Sequence, residues 1–241
     1  MLVTGATGGV GAALLERVRS AGWDAVGVYR SDAERAAELE RRWAGGPNCL
    51  RLFRADLSDA REVESLIGEL DGDFCPDALV HLASPRLHAA ALHRTDWNEV
   101  QRQIDGTLKP VVLVTQPLLA RMLRRGAGRV VAALSAVVLG APPRGFSSYT
   151  TAKYALLGYL KCLAAEYATR GIVTATVSPG AMPTGLLRDL PALLTDQMRA
   201  ALPRGEWIDP AAVARAVFWL AAEAGPEVNG ANLPLTGGTT A

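Results

Sequence analysis

The stretch that most constrains the fold lies at the start of the chain. Thr4-Gly5-Ala6-Thr7-Gly8-Gly9-Val10-Gly11 follows the short apolar segment Leu2–Thr4 directly and opens a helical pattern that runs to about Ser20. Glycines at such a turn let the chain reverse tightly, let a pyrophosphate approach the backbone, and let helix pack on strand. The helix N-terminus then offers free N–H groups to an anion. A glycine cluster alone also fits a plain tight turn. Its place at the end of a first strand, with further strands in series behind it, points to a dinucleotide.

The rest of the chain alternates strand and helix. Strands are predicted over Ala25–Tyr29, Leu50–Ala55, Asp77–Ala83, Arg129–Leu134, Ile172–Val177 and Ala231–Thr236. Gly22 closes the first helix. Helical patterns fill Ser31–Trp43, a segment through Leu70 with Asp59 and Glu62 as a capping box, and 96–124 with Pro110 as a kink or break. Another opens at Ser147 or Ser148 and ends near Gly171, and Asp209-Pro210 caps one more. This alternation implies a mostly parallel sheet covered on both faces: a Rossmann-type, doubly wound α/β fold with a seven-stranded sheet, in one domain spanning 1–241.

Composition agrees with that class. The chain has 241 residues, 49% apolar and 20% charged, which excludes a disordered polyelectrolyte. Its 25 basic and 24 acidic residues leave a net charge of +1, too small to make nucleic acid a main partner. The apolar runs are too short to span a bilayer, and no secretion signal is visible. Cys49, Cys75 and Cys162 are scattered and form no CxxC pair, which favours a reducing, cytoplasmic setting. His81, His88 and His93 are spaced by seven and five residues, which matches no common zinc pattern, so no metal is expected. Only Lys109, Lys153 and Lys161 are lysines.

The TGxxxGxG spacing resembles the short-chain dehydrogenase/reductase family, in its short single-domain branch of 3-oxoacyl-ACP-reductase-like ketoreductases. The resemblance runs from Thr4 to Gly238. It includes Asp56-Leu57, Tyr149-Thr-Thr-Ala-Lys153, Ser178-Pro179-Gly180 with Thr184, and Thr236-Gly237-Gly238. It implies cofactor contacts from Thr4, Gly5, Thr7, Gly8, Gly9, Val10 and Gly11 at the pyrophosphate. Asp56, with Leu57, would take the adenine amino group. Ala83 would lie near the ribose, and Pro179, Gly180, Met182 and Thr184 at the nicotinamide. It also implies a homodimer or homotetramer built through the long helices over 96–124 and 149–170, and a mobile substrate lid at about 185–206.

NADP(H) is favoured over NAD(H). An NAD enzyme usually ends its second strand on an acid that binds the ribose diol. Here the strand ends Tyr29-Arg30-Ser31, and arginine pairs bidentately with a 2′-phosphate. Asp32 lies close enough to confuse the count.

Tyr149 and Lys153 are four apart, so they share a helical face. A tyrosine acting as general acid or base needs its phenol brought down from about 10, and a neighbouring ammonium does that. In the family that lysine also binds the nicotinamide ribose. Ser135, at the end of the fifth strand, matches the serine that holds the substrate carbonyl. The family spacing of about thirteen residues back from Tyr149 lands instead on Ala136, but an extra residue in the 140–148 loop is absorbed more easily than a slipped strand. Thr107 stands where the family often has an asparagine feeding a water relay to the lysine, and His81-Leu82-Ala83-Ser84 replaces Asn-Asn-Ala-Gly. The expected function is hydride transfer between NADP(H) and a ketone or secondary alcohol of an apolar small molecule. A dinucleotide-binding sensor without turnover is the alternative, and epimerisation or dehydration a third reading. Leu186, Leu187, Leu190, Leu193, Leu194 and Met198 suit an apolar substrate wall, or packing on the core or a partner. Arg144 and Phe146 are further candidates for substrate contact.

Overall fold

The computed structural model describes residues 1–70 and 72–239. Seven strands, β1 (Leu2–Thr4), β2 (Ala25–Tyr29), β3 (Leu50–Arg54), β4 (Ala78–His81), β5 (Gly128–Ala133), β6 (Ile172–Pro179) and β7 (Asn232–Leu235), form one sheet in the order β3-β2-β1-β4-β5-β6-β7. Every pairing is parallel. The chain builds outward from β1 to β3, then crosses back to lay β4 on the other side of β1. That reversal opens a crevice at the carboxyl ends of β1 and β4, where doubly wound sheets bind ligands. Register brings those ends level: Thr4 pairs with Val28 and His81, and His81 with Ala132.

Alternation along the strands divides the core. Leu2, Leu79 and Val130 face one side, and Val3, Val80 and Val131 the other. On the second side pack α1 (Gly9–Ser20) and α8 (Pro210–Phe218), through Leu14, Leu15, Val213 and Val217. A single π-helical turn, Trp219–Glu223, continues α8. The first side carries α5 (Lys109–Arg125) and α6 (Ser147–Tyr167), through Val114, Leu118, Leu156 and Leu160. Truncating a fully buried leucine such as Leu118 to alanine costs about 2–5 kcal/mol.

Asp32 caps α2 (Ala33–Trp43), Asp59 caps α3 (Ala60–Glu69), Asp96 caps α4 (Trp97–Thr107) and Asp209 caps α8, each accepting a first-turn N–H. The reciprocal half of the expected Asp59/Glu62 box is absent. The Glu62 carboxylate accepts instead from the Asp56 N–H at 2.7 Å, because the turn at 56–59 bonds the Asp59 N–H to Asp56 O. The 96–124 pattern divides at Leu108 into α4 and α5. Pro110 falls in the first turn of α5, where a missing N–H breaks no helical bond. α7 (Ala192–Ala200) lies between β6 and α8 and buries none of its residues. His81 is buried with Nε2 3.0 Å from Thr115 Oγ1, and burial pushes its pKa down to about 3.

Candidate active site

A cavity of about 760 Å³ opens at the crevice. Its floor is the glycine loop, with Gly5, Thr7, Gly8, Gly9, Val10 and Gly11 all on its wall. Two of these glycines are sterically required. Gly5 has φ +70°, and a Cβ there would lie 2.7 Å from Ala83 N; a Cβ on Gly11 would lie 2.2 Å from Gly5 O. No side chain caps Gly8, so the first-turn N–H groups of α1 lack an intrahelical or capping acceptor. Such donors around a bare backbone cradle fit a pyrophosphate. Thr4 is off the wall: its Oγ1 accepts from Leu82 and Ala83 N–H at 3.3 and 3.4 Å and ties β1 to the loop after β4. Ala83 and Leu57 are also off the wall; Leu57 is buried in the core.

At the outer end lie Arg30, Ser31, Asp32 and Arg35. The Asp32 carboxylate is taken up as the α2 cap, accepting from Arg35 N at 3.1 Å. Arg30 is well exposed, with Nη1 3.9 Å from Asp56 Oδ2. Asp56 does not line the cavity. Its Oδ1 accepts from Ser58 N and Oγ at 3.0 and 2.6 Å, and these bonds with Arg30 hold its carboxyl below the ordinary range despite partial burial.

The inner end holds Ser135, Tyr149 and Lys153, brought together on the same wall. β5 delivers Ser135 just past its end, and the first turns of α6 deliver the other two on one face. The Ser135 side chain lies near enough to the Tyr149 phenol to draw its pKa down, and its Oγ accepts from the Val137 N–H at 3.4 Å. Lys153 Nζ donates to Ala133 O at 2.9 Å and sits 5.7 Å from the Tyr149 ring centroid. Burial drives both pKa values toward the neutral forms: Tyr149 is pushed up to about 12 despite the opposing pull of Ser135, and Lys153 down to about 8. This differs from the expected lowering of the phenol. The cation's head is directed at a backbone carbonyl over the ring face, and desolvation dominates. Ala136 also lines the wall, but it has no hydroxyl to offer the phenol.

Pro179, Gly180, Met182 and Thr184 line the wall beyond β6. Thr107, the last residue of α4, is buried outside the cavity lining, and its Oγ1 has no hydrogen-bond partner. Among the apolar residues of 185–206, Leu186, Leu187, Met198, Ala201 and Leu202 line the cavity. Leu187 and Leu190 pack in the core, whereas Leu193 is 71% exposed. Phe146 lines the cavity and Arg144 does not. The sequence reading missed Leu82, Arg86, Leu87, Val137, Pro143 and Arg188 on the wall. They sit on loops or, for Val137, in the short 3-10 turn Ala136–Val138, where no periodicity shows which way a side chain faces. Among the described residues there is no cluster of three or more histidine, cysteine or acidic side chains suited to a metal, and none of the cysteines is disulfide-bonded.

A parallel doubly wound sheet with a glycine cradle and a Ser–Tyr–Lys cluster at its switch point defines a dinucleotide-dependent oxidoreductase of the Rossmann type. Known proteins agree. The family model described as Enoyl-(Acyl carrier protein) reductase matches residues 5–240. The chain is 34% identical to 2-(R)-hydroxypropyl-CoM dehydrogenase of Xanthobacter autotrophicus, over 100% of this chain and 98% of that protein. It is 31% identical to acetoacetyl-CoA reductase of Rhizobium meliloti, over 98% and 96%, and 29% identical to the 3-oxoacyl-(acyl-carrier-protein) reductase FabG of Vibrio harveyi, over 98% and 95%. The chain belongs to the short-chain dehydrogenase/reductase family. It is an oxidoreductase that interconverts a ketone and an alcohol with a nicotinamide dinucleotide.

Proposed function

We propose that the protein reduces a ketone on an apolar small molecule with NADPH. The observation that carries the chemistry is the Ser135–Tyr149–Lys153 cluster at the inner end of a cavity whose other end is the glycine loop. The bound cofactor supplies the hydride. Ser135 holds the carbonyl oxygen, and Tyr149 gives it a proton. A phenol at about 12 is fully protonated at neutral pH, which suits proton donation and hence reduction. Lys153 anchors the ribose and steadies the phenolate left behind. Pro179, Gly180, Met182 and Thr184 orient the nicotinamide, and Ala83 and Leu57 back the ribose and adenine. Thr107 keeps a buried hydroxyl for a water beside α4. Holding both reactants in register is where most of the acceleration arises.

The NADP preference rests on Arg30 and Ser31 at the end of β2, with Arg35 beside them; of the acids nearby, Asp32 is occupied as a helix cap and Asp56 is 3.9 Å from Arg30 and off the cavity wall. Asp56 accepts from the adenine amino group through the carboxylate edge that Arg30 faces. Residues 185–206 act as the substrate lid of a single domain spanning 1–241. The protein works in the cytoplasm as a homodimer or homotetramer, joined through α4, α5 and α6. No helix among the described residues is long and apolar enough to cross a membrane.

A panel of ketones and alcohols, scored by absorbance of NADPH and of NADH, tests this. Ketone-dependent loss of NADPH, faster than of NADH, is expected. Turnover with NADH alone refutes the cofactor assignment, and no turnover with any compound favours a dinucleotide sensor.

A further inference from the structure

The cavity wall is apolar at its substrate end, yet it carries two arginines there. They differ in one respect. Arg86 is neutralised, with Nη1 3.1 Å from both carboxylate oxygens of Asp189. Arg188 lines the same cavity, and its guanidinium has no ion pair or hydrogen bond among the described residues. Among the described residues the only acid on the wall, Asp32, lies at the far, cofactor end and is engaged as a helix cap.

Arg188 is also held in place. Leu187 and Leu190 on either side of it are buried, in the cluster that contains Tyr149. The Leu87 N–H donates to Leu186 O at 3.1 Å, and Asp189 is bridged by Arg86. The backbone around Arg188 is therefore pinned to the loop after β4, while Arg188 itself is exposed and lines the cavity. A guanidinium is always charged and offers a planar fork of donors that matches a carboxylate.

We infer that the substrate carries a carboxylate, held by Arg188, at the end of its apolar body away from the reacting ketone. This rests on the ketoreductase reading above and narrows it to oxo acids. Among the described residues, the pairing of Arg86 with Asp189 leaves Arg188 as the unpaired arginine on that side of the cavity, so it selects a single anionic group.

Levulinate and its longer linear homologues, each beside its methyl ester, provide the probes. The two members of each pair differ in charge and hardly in shape. Reduction by NADPH should favour the acid at one chain length by about ten- to a hundredfold in kcat/KM, the worth of one charge-assisted hydrogen bond. Arg188→Met should collapse that acid-to-ester ratio toward one, mainly through KM, and Arg188→Lys should keep part of it. Calorimetric binding of each compound to the protein–NADP⁺ complex reads the same preference without turnover. If neither acid nor ester is reduced but the acid binds more tightly and Arg188→Met abolishes the difference, the ketoreductase reading fails and the carboxylate site stands. If acid and ester bind and react alike at every length, or the ratio survives Arg188→Met, the inference is overturned.

Discussion

The first turns of α6 and the segment between β6 and α8 face the same cavity and are built in opposite ways. Tyr149 and Lys153 are almost wholly buried, fixed by a carbonyl, a serine and the surrounding core. In the other segment α7 has no fully buried residue, only Leu194 and Met198 partly packed on the core, and Leu193 stands in solvent. On the proposed reading, chemistry is placed where the fold over-determines position, and selectivity where packing is thin and residues can change at little cost to stability. Within that segment the exceptions are Leu202 and the pair Leu187 and Leu190, the anchors that flank Arg188.

The contrast can be broken from either side. Lys153→Met should lower turnover by about 10²–10⁴-fold. It should not lower thermal stability at pH 7. A buried lysine at about 8 is charged there at a desolvation cost, and its removal offsets the lost bond to Ala133. Its sign is fixed by linkage. Between about 8 and 10.5 the unfolded chain binds the extra proton, so wild-type stability gains from this residue as pH rises through that window, and the variant loses the gain. Calorimetric melts across that range check it.

His81 gives the next effect. With a folded pKa of about 3 against 6.5 unfolded, the unfolded state binds more protons between those values. Stability should fall by a few kcal/mol as pH drops from about 6.5 toward 3. His81→Asn, the residue found there in the family's usual pattern, should flatten that slope in denaturant titrations. Arg30→Leu should weaken NADPH binding about tenfold and leave NADH nearly unchanged, as a lost phosphate contact would. The smallest change belongs to the loose side: Leu193→Asp should move stability by no more than about 0.5 kcal/mol. A large loss there would show that α7 is packed after all.

Much of the fold was legible because parallel strands buried on both faces read as apolar runs, and because the helix caps Asp59 and Asp209 are local in sequence. The glycine loop was legible because a Cβ at Gly5 or Gly11 has nowhere to go. Other features depend on long-range contact. Glu62 left Asp59 for Asp56 because a turn had already used the nearer donor. Arg86 meets Asp189 across 103 residues, and no pattern in either segment announces it. The high Tyr149 pKa was hidden for the same reason: the YxxxK spacing places two side chains on one face but says nothing about where the ammonium's hydrogen bonds go.

Tyr149→Phe tests the central claim most directly, with ketone reduction and NADPH affinity measured on the same preparation. Removing one oxygen beside Ser135 should abolish nearly all turnover while cofactor affinity stays within about twofold, since the proton leaves from that atom and the cradle is untouched. A variant that still reduces ketones at close to the wild-type rate would contradict the account.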